Sequence, residues 1–154
     1  LVATACAVSG LLAGVMYEWK VVATDQTGQS VQGPIWRFTT NQPPNLPAAL
    51  APADEATGQN FESLNLRWSA TDSDGDTLLF RVLFGMTEDP TGMACDWDAA
   101  TDCARQDLLP GRVYHWKVKV SDGISERVGG PWKFTTRDSD GGPIPPPPDP
   151  GLKP

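Results

Sequence analysis

The stretch GVMYEWKV at residues 14–21 returns as GRVYHWKV at residues 111–118. From Cys6 to Val21 and from Cys103 to Val118, nine of sixteen aligned positions are identical. The correspondence continues downstream, where GPIWRFTT at 33–40 matches GPWKFTT at 130–136 with Ile35 as an extra residue. A repeat at this spacing is the length of a small domain, so the chain carries one element from two consecutive modules. Residues 1–40 match only the closing part of the second module. The sequence therefore predicts the C-terminal part of a domain at 1–40, a short Pro-rich joint at 41–46, a complete domain at 47–137 and a Pro/Gly-rich extended linker at 138–154.

Three strands cannot close a sandwich, and Trp19 and Trp36 would then lack an opposing sheet. The expectation is that the opening half of the first module lies outside this sequence, which begins at Leu1 without a Met. Strand addition from another chain is the alternative. The apolar start LVATACAVSGLLAGVM has the look of a leader. It lacks a basic n-region, and CAVSGLLAG at 6–14 aligns with CARQDLLPG at 103–111, so it reads as part of a module.

The formal net charge is −7, and only 12 Lys and Arg are spread along the chain. Nucleic acid and anionic membranes both require clustered basic residues, so neither is an expected partner. No apolar run approaches the roughly 20 residues that a spanning helix needs. The 15 Gly and 15 Pro punctuate short stretches of Trp, Tyr, Val and Thr, which indicates an all-β chain.

The strands can be read by alternation. ESLNLRWSA at 62–70 places Leu64, Leu66 and Trp68 on one face. TLLFRVLFG at 77–85 places Phe80, Val82 and Phe84 on one face and Leu79, Arg81 and Leu83 on the other, as in a central strand covered on both sides. A long polar loop follows. RVYHWKVKV then turns Tyr114, Trp116, Val118 and Val120 inward and His115 outward, and PWKFTT turns Trp132 and Phe134 inward. Such a set of short strands predicts a two-sheet sandwich.

LLPGRVYHWKVKVSDG followed by GPWKFTT resembles the closing half of fibronectin type III-like domains of bacterial extracellular proteins. LRWSATDSDGDTLLFRVLFG resembles their second and third strands. The resemblance implies an immunoglobulin-like β-sandwich fold, all-β, in two tandem units with the first incomplete. It also implies a tyrosine corner, with Leu108, Pro110, Gly111 and Tyr114 in the turn and Trp116 on the strand that follows. The first unit departs from it at Ala13, where the corner proline is expected.

Three groups of residues invite a chemical reading. Cys95 and Cys103 bracket DWDAATD, and a disulfide between them is favoured over two buried thiols, implying an oxidising compartment. Cys6 aligns with Cys103, so its partner is expected upstream. Zinc is disfavoured, since there is no Cys-x-x-Cys and the lone His115 reads as a solvated sheet edge. Asp72, Asp74 and Asp76 of DSDGD have the alternate spacing of calcium-loop carboxylates, with Asp122 as a further donor, although an EF-hand would need a later Glu. A tight Asx turn is the simpler reading. Trp97, between Asp96 and Asp98 in the cysteine-bounded loop, reads either as a cover for the sandwich flank or as a sugar-stacking platform.

No catalytic motif is present, and no cofactor beyond calcium is expected. The sequence thus predicts non-catalytic sandwich modules of a secreted or cell-surface multidomain protein, acting as spacer or adhesion modules. Their partners would be other domains of the same polypeptide. A carbohydrate- or surface-protein-binding module, or an accessory domain of a secreted hydrolase, is the alternative.

Overall fold

The computed structural model describes residues 4–140, and among them the regular structure is entirely strand. The linker expected at 138–154 lies almost wholly outside the described residues. The chain divides into two compact units, Leu1–Pro43 and Pro44–Pro154.

Unit 1 holds two short antiparallel ladders. Strand β1 (Met16–Trp19) pairs with β4 (Trp36–Thr39), and β2 (Val22–Thr24) pairs with β3 (Ser30–Gln32). The turn between β2 and β3 is fixed by Asp25, whose Oδ1 accepts from the Thr27 hydroxyl and from the amides of Thr27 and Gln29.

Unit 2 contains β5 (Ala48–Ala51), β6 (Ala56–Gln59), β7 (Ser63–Ser69), β8 (Leu79–Gly85), β9 (Met93–Asp98), β10 (Asp102–Gln106), β11 (Val113–Ser121) and β12 (Glu126–Thr136). They form a three-stranded sheet in the order β10-β7-β5 and a five-stranded sheet in the order β6-β12-β11-β8-β9. Neighbours are antiparallel except β6, which runs parallel to β12. The chain crosses between the sheets from β5 through β8 and again at β9–β10 and β10–β11, while β8–β9 and β11–β12 are neighbours within one sheet. The result is a fibronectin type III-like, immunoglobulin-like β-sandwich.

Alternation decides which side chains fill the space between the sheets. Along β11 every second residue is buried, with Trp116, Val118 and Val120 at 0% exposure and Tyr114 at 5%. They meet Leu66 and Trp68 from β7, Phe80 and Val82 from β8, and Phe134 from β12. Each such burial contributes about 1.5–3 kcal/mol. The aromatic members touch, with Tyr114 and Phe134 ring centroids at 5.8 Å and Trp116 and Trp132 at 4.8 Å.

The corner forms as the resemblance implies. Tyr114 Oη accepts from the Leu109 amide at 2.9 Å, and Thr136 Oγ1 donates to the Leu109 carbonyl at 2.7 Å. Gly111 supplies the positive φ, 62°, that the turn requires. The far edge closes at Gly129, where a Cβ would stand 2.3 Å from the Pro47 carbonyl oxygen, so only glycine lets β12 come this near the incoming segment.

Three expectations need correction. The stretch between β8 and β11 is not a polar loop, because it contains β9 and β10, the edge strands of the two sheets. Strand β8 is central in its ladder, but its second face is not covered, and Leu79 is 40% exposed. His115 does not sit on a sheet edge. Its strand lies between β12 and β8, and the ring is half-buried on the outward face.

Candidate functional site

The two edge strands β9 and β10 position the cysteines. Cys95 and Cys103 form a disulfide with Cα atoms 6.2 Å apart. Because β9 belongs to the five-stranded sheet and β10 to the three-stranded one, this bond ties the two sheets together along one edge. A crosslink closing so short a loop contributes about 2–3 kcal/mol in the chain-entropy account. Cys6 is a free, exposed thiol.

The same strand β9 carries Asp96, Trp97 and Asp98, so Trp97 stands on a strand rather than in a loop. Antiparallel pairing of β8 and β9 brings Arg81 alongside. Its guanidinium carbon lies 4.9 Å from the centre of the Trp97 ring, and its Nη2 is 2.7 Å from Asp96 Oδ1. The Trp97 amide also donates to Asp96 Oδ1 at 2.8 Å. That amide bond, and next the Arg81 guanidinium, hold the Asp96 carboxyl below the ordinary aspartate value. Asp98 accepts from the Ala100 amide at 2.8 Å. The Trp97 ring is therefore half-buried, with a cation lying over it, and both flanking carboxylates hold backbone. Arg81 was read from the sequence only as an outward residue of β8. Its role becomes visible only through the pairing of the two strands.

The aspartates of the DSDGD turn gather just ahead of β8, beside the incoming segment. The Asn45 amide donates to the Thr71 carbonyl at 2.9 Å, and the Asn45 side chain donates to Thr71 Oγ1 at 2.8 Å. Asp72 Oδ1 accepts from the Asp74 amide at 2.8 Å, and Gly75 takes a φ of 80°, which is an Asx turn. Carboxylate oxygens of Asp72, Asp76 and Asp122 all lie within 4.8 Å of one another. Asp74 stands outside that group, and Asp122 comes to it from the turn after β11, where its Oδ1 accepts from the Ile124 and Ser125 amides. Asp72 Oδ2 is buried and has no hydrogen-bond partner. Three hard oxygen donors at this separation suit a calcium ion completed by water and carbonyl oxygens.

A third feature belongs to unit 1. A groove of about 870 Å³ is lined by Cys6, Val8, Leu11, Tyr17, Trp19 and Phe38, among others. Among its walls, Cys6, Leu11, Tyr17, Trp19 and Phe38 are residues that the repeat aligns with the core of unit 2.

No family model and no curated protein matches the chain. Among solved structures it is similar to the chicken CNTN1 FN1-FN3 domains at 16% identity and a TM-score of 0.47, covering 83% of this chain and 45% of that one. It is also similar to the rat CD45 extracellular region, domains d3-d4, at 12% identity and a TM-score of 0.45, covering 87% and 70%. The chain thus spans less than half the length of the CNTN1 fragment.

Proposed function

We propose that these are non-catalytic modules of a secreted or cell-surface multidomain protein, of the bacterial extracellular kind, whose work is to hold other domains of the same polypeptide apart. The observation that carries this reading is the bracing of unit 2 at both edges of the sandwich. The Cys95–Cys103 bond ties one edge, and the close passage of Gly129 against Pro47 closes the other. A module tied in this way resists shear between its sheets, which is what a spacer needs. The disulfide also supports an oxidising, extracellular setting. The binding screen that tests the reading presents residues 1–154 and the Trp97→Ala variant to arrayed glycans and matrix proteins. A spacer gives no retention that depends on Trp97. Retention lost with Trp97→Ala would overturn the spacer reading and establish a binding module built on Trp97, Asp96 and Asp98.

A second reading concerns the pole where the incoming segment meets the aspartate turn. The buried, unpartnered Asp72 Oδ2 favours a calcium ion held by Asp72, Asp76 and Asp122. Such an ion would stiffen the turn to which Asn45 is hydrogen-bonded. Calorimetry in millimolar calcium and in EDTA tests it. The expected result is a higher melting temperature in calcium, abolished by Asp76→Asn, and equal melting temperatures would exclude the ion.

A further inference from the structure

Unit 1 repeats the corner and the strand register of one face of unit 2, yet among the described residues leaves that face open. In β1 and β4 the partners are Tyr17↔Phe38 and Trp19↔Trp36, and in β11 and β12 they are Tyr114↔Phe134 and Trp116↔Trp132. The corner repeats as well. Tyr17 Oη accepts from the Leu12 amide at 2.9 Å, and Thr40 Oγ1 donates to the Leu12 carbonyl at 2.5 Å. Burial does not repeat. Trp116 and Phe134 are at 0% exposure, whereas Trp19 is at 50% and Phe38 at 44%.

The difference extends to the segment before the corner. Residues 102–106 form β10 and pair with β7, but the aligned residues 5–9 join no ladder. Cys103 is 2% exposed and disulfide-bonded, while Cys6 is exposed and free. In unit 2 the counterparts of Cys6, Leu11, Tyr17, Trp19 and Phe38 share a cluster with Leu66 and Trp68 of β7 and with Phe80 and Val82 of β8. Leu66 and Trp68 come from the facing sheet and Phe80 and Val82 from the strand beside β11, and neither strand has a counterpart in unit 1 among the described residues.

We propose that this groove is closed by a segment of the same polypeptide lying N-terminal to Thr4 and built as residues 44–98 are. Its β7-like strand pairs antiparallel with residues 5–9 and sets alternate Leu and Trp side chains into the groove. Its β9-like strand brings a cysteine to Cys6. The bond between them forms by two steps of exchange with a small disulfide such as glutathione disulfide. The two cysteine thiols give up two electrons and two protons, and the acceptor leaves as two thiols. A second copy of this chain does not fit, because its own Leu66 and Trp68 are 0% and 2% exposed and its Cys95 is already bonded. The order follows from unit 2, where the strands that cover the β11 face precede Cys103 in the chain.

Two measurements test the proposal. The first grafts residues 44–102 directly ahead of Cys6, so that the graft runs into residues 6–154, and compares the product with residues 1–154 after refolding in a glutathione buffer. Residues 1–154 should show one titratable thiol and strong acrylamide quenching of tryptophan. The graft should show no titratable thiol, weaker quenching per tryptophan and a second cooperative unfolding transition. Two titratable thiols beside an unchanged unit 2 transition would overturn the proposal. The second measurement does not depend on the graft folding. Unreduced digestion of the parent protein from its source should release the Cys6 peptide crosslinked to a peptide outside residues 1–154. A free Cys6, or Cys6 bonded to a second Cys6, would overturn it.

Discussion

Tyr17 and Tyr114 make the same hydrogen bond, to the amides of Leu12 and Leu109, at the same distance of 2.9 Å. Trp19 and Trp116 lie against equivalent neighbours, with ring centroids 4.5 and 4.8 Å from Trp36 and Trp132. What separates the two regions is the layer above the rings. Unit 2 places Leu66 and Trp68 of the facing sheet there, and unit 1 places nothing within the described residues. The corner and its ladder are thus local structure, set by tyrosine, glycine and threonine acting over a short stretch. The core is not local, because it needs strands from elsewhere in the chain. The comparison separates what a sequence motif dictates by itself from what it contributes only once it is covered.

The sharpest way to break this contrast is to truncate the paired tryptophans. Trp116→Ala empties a fully buried site and should cost about 3–5 kcal/mol in a denaturant titration of unit 2. Trp19→Ala in residues 1–154 should leave that transition unmoved and change unit 1 by about 0.5 kcal/mol or less, since the ring is already half in water. Equal costs at both positions would mean that the unit 1 face is covered after all. Next in size is the disulfide. Replacing Cys95 and Cys103 together by Ala should lower the stability of unit 2 by about 2–3 kcal/mol. The same midpoint should follow treatment of the unaltered chain with a reductant, and the unit 1 signal should not respond to either change.

These two regions also explain what could be read in advance. The repeat, the corner and the inward tryptophans were legible because β7, β8 and β11 each bury one face, which leaves an alternating trace in the sequence. Strands β9 and β10 left no such trace. They are edge strands whose solvated sides carry Asp96, Asp98, Asp102 and Gln106, so MACDWDAATDCARQ reads as a loop. Placing Trp97 on a strand, with Arg81 over its ring, required the β8–β9 register, which no local pattern encodes. The aspartate group was half legible. Asp72 and Asp76 share a turn, but Asp122 arrives from a different turn, and the alternate spacing pointed equally to Asp74, which lies outside the group.

A smaller effect sharpens the comparison at the corner itself. Tyr114→Phe leaves the Leu109 amide without its acceptor in a partly buried setting and should cost about 1 kcal/mol. Tyr17→Phe frees the Leu12 amide in an exposed setting, where water replaces the phenol. It should cost measurably less when unit 1's own unfolding signal is followed. If the two changes cost the same, the tyrosine hydroxyl matters to the corner regardless of burial.

The smallest expected effect concerns two exposed carboxylates, one in each unit, that are lowered for different reasons. Asp25 sits below the ordinary aspartate value because the Thr27 hydroxyl, then the Gln29 amide, donate to it. Asp96 is lowered by the Trp97 amide and then by the Arg81 guanidinium. A folded-state value below the unfolded one means that each group stabilises its unit above the ordinary carboxylate range. That contribution is lost as the pH falls through the depressed value. Carboxyl titrations followed by NMR should therefore place both below the unfolded reference. Raising the salt to about 1 M shrinks the screening length to roughly 3 Å. It should move Asp96 part of the way back, because a cation contributes to its shift. Asp25, held by neutral donors, should stay where it is. An Asp96 titration as indifferent to salt as that of Asp25 would mean that Arg81 spends its charge elsewhere and lies over Trp97 for packing alone.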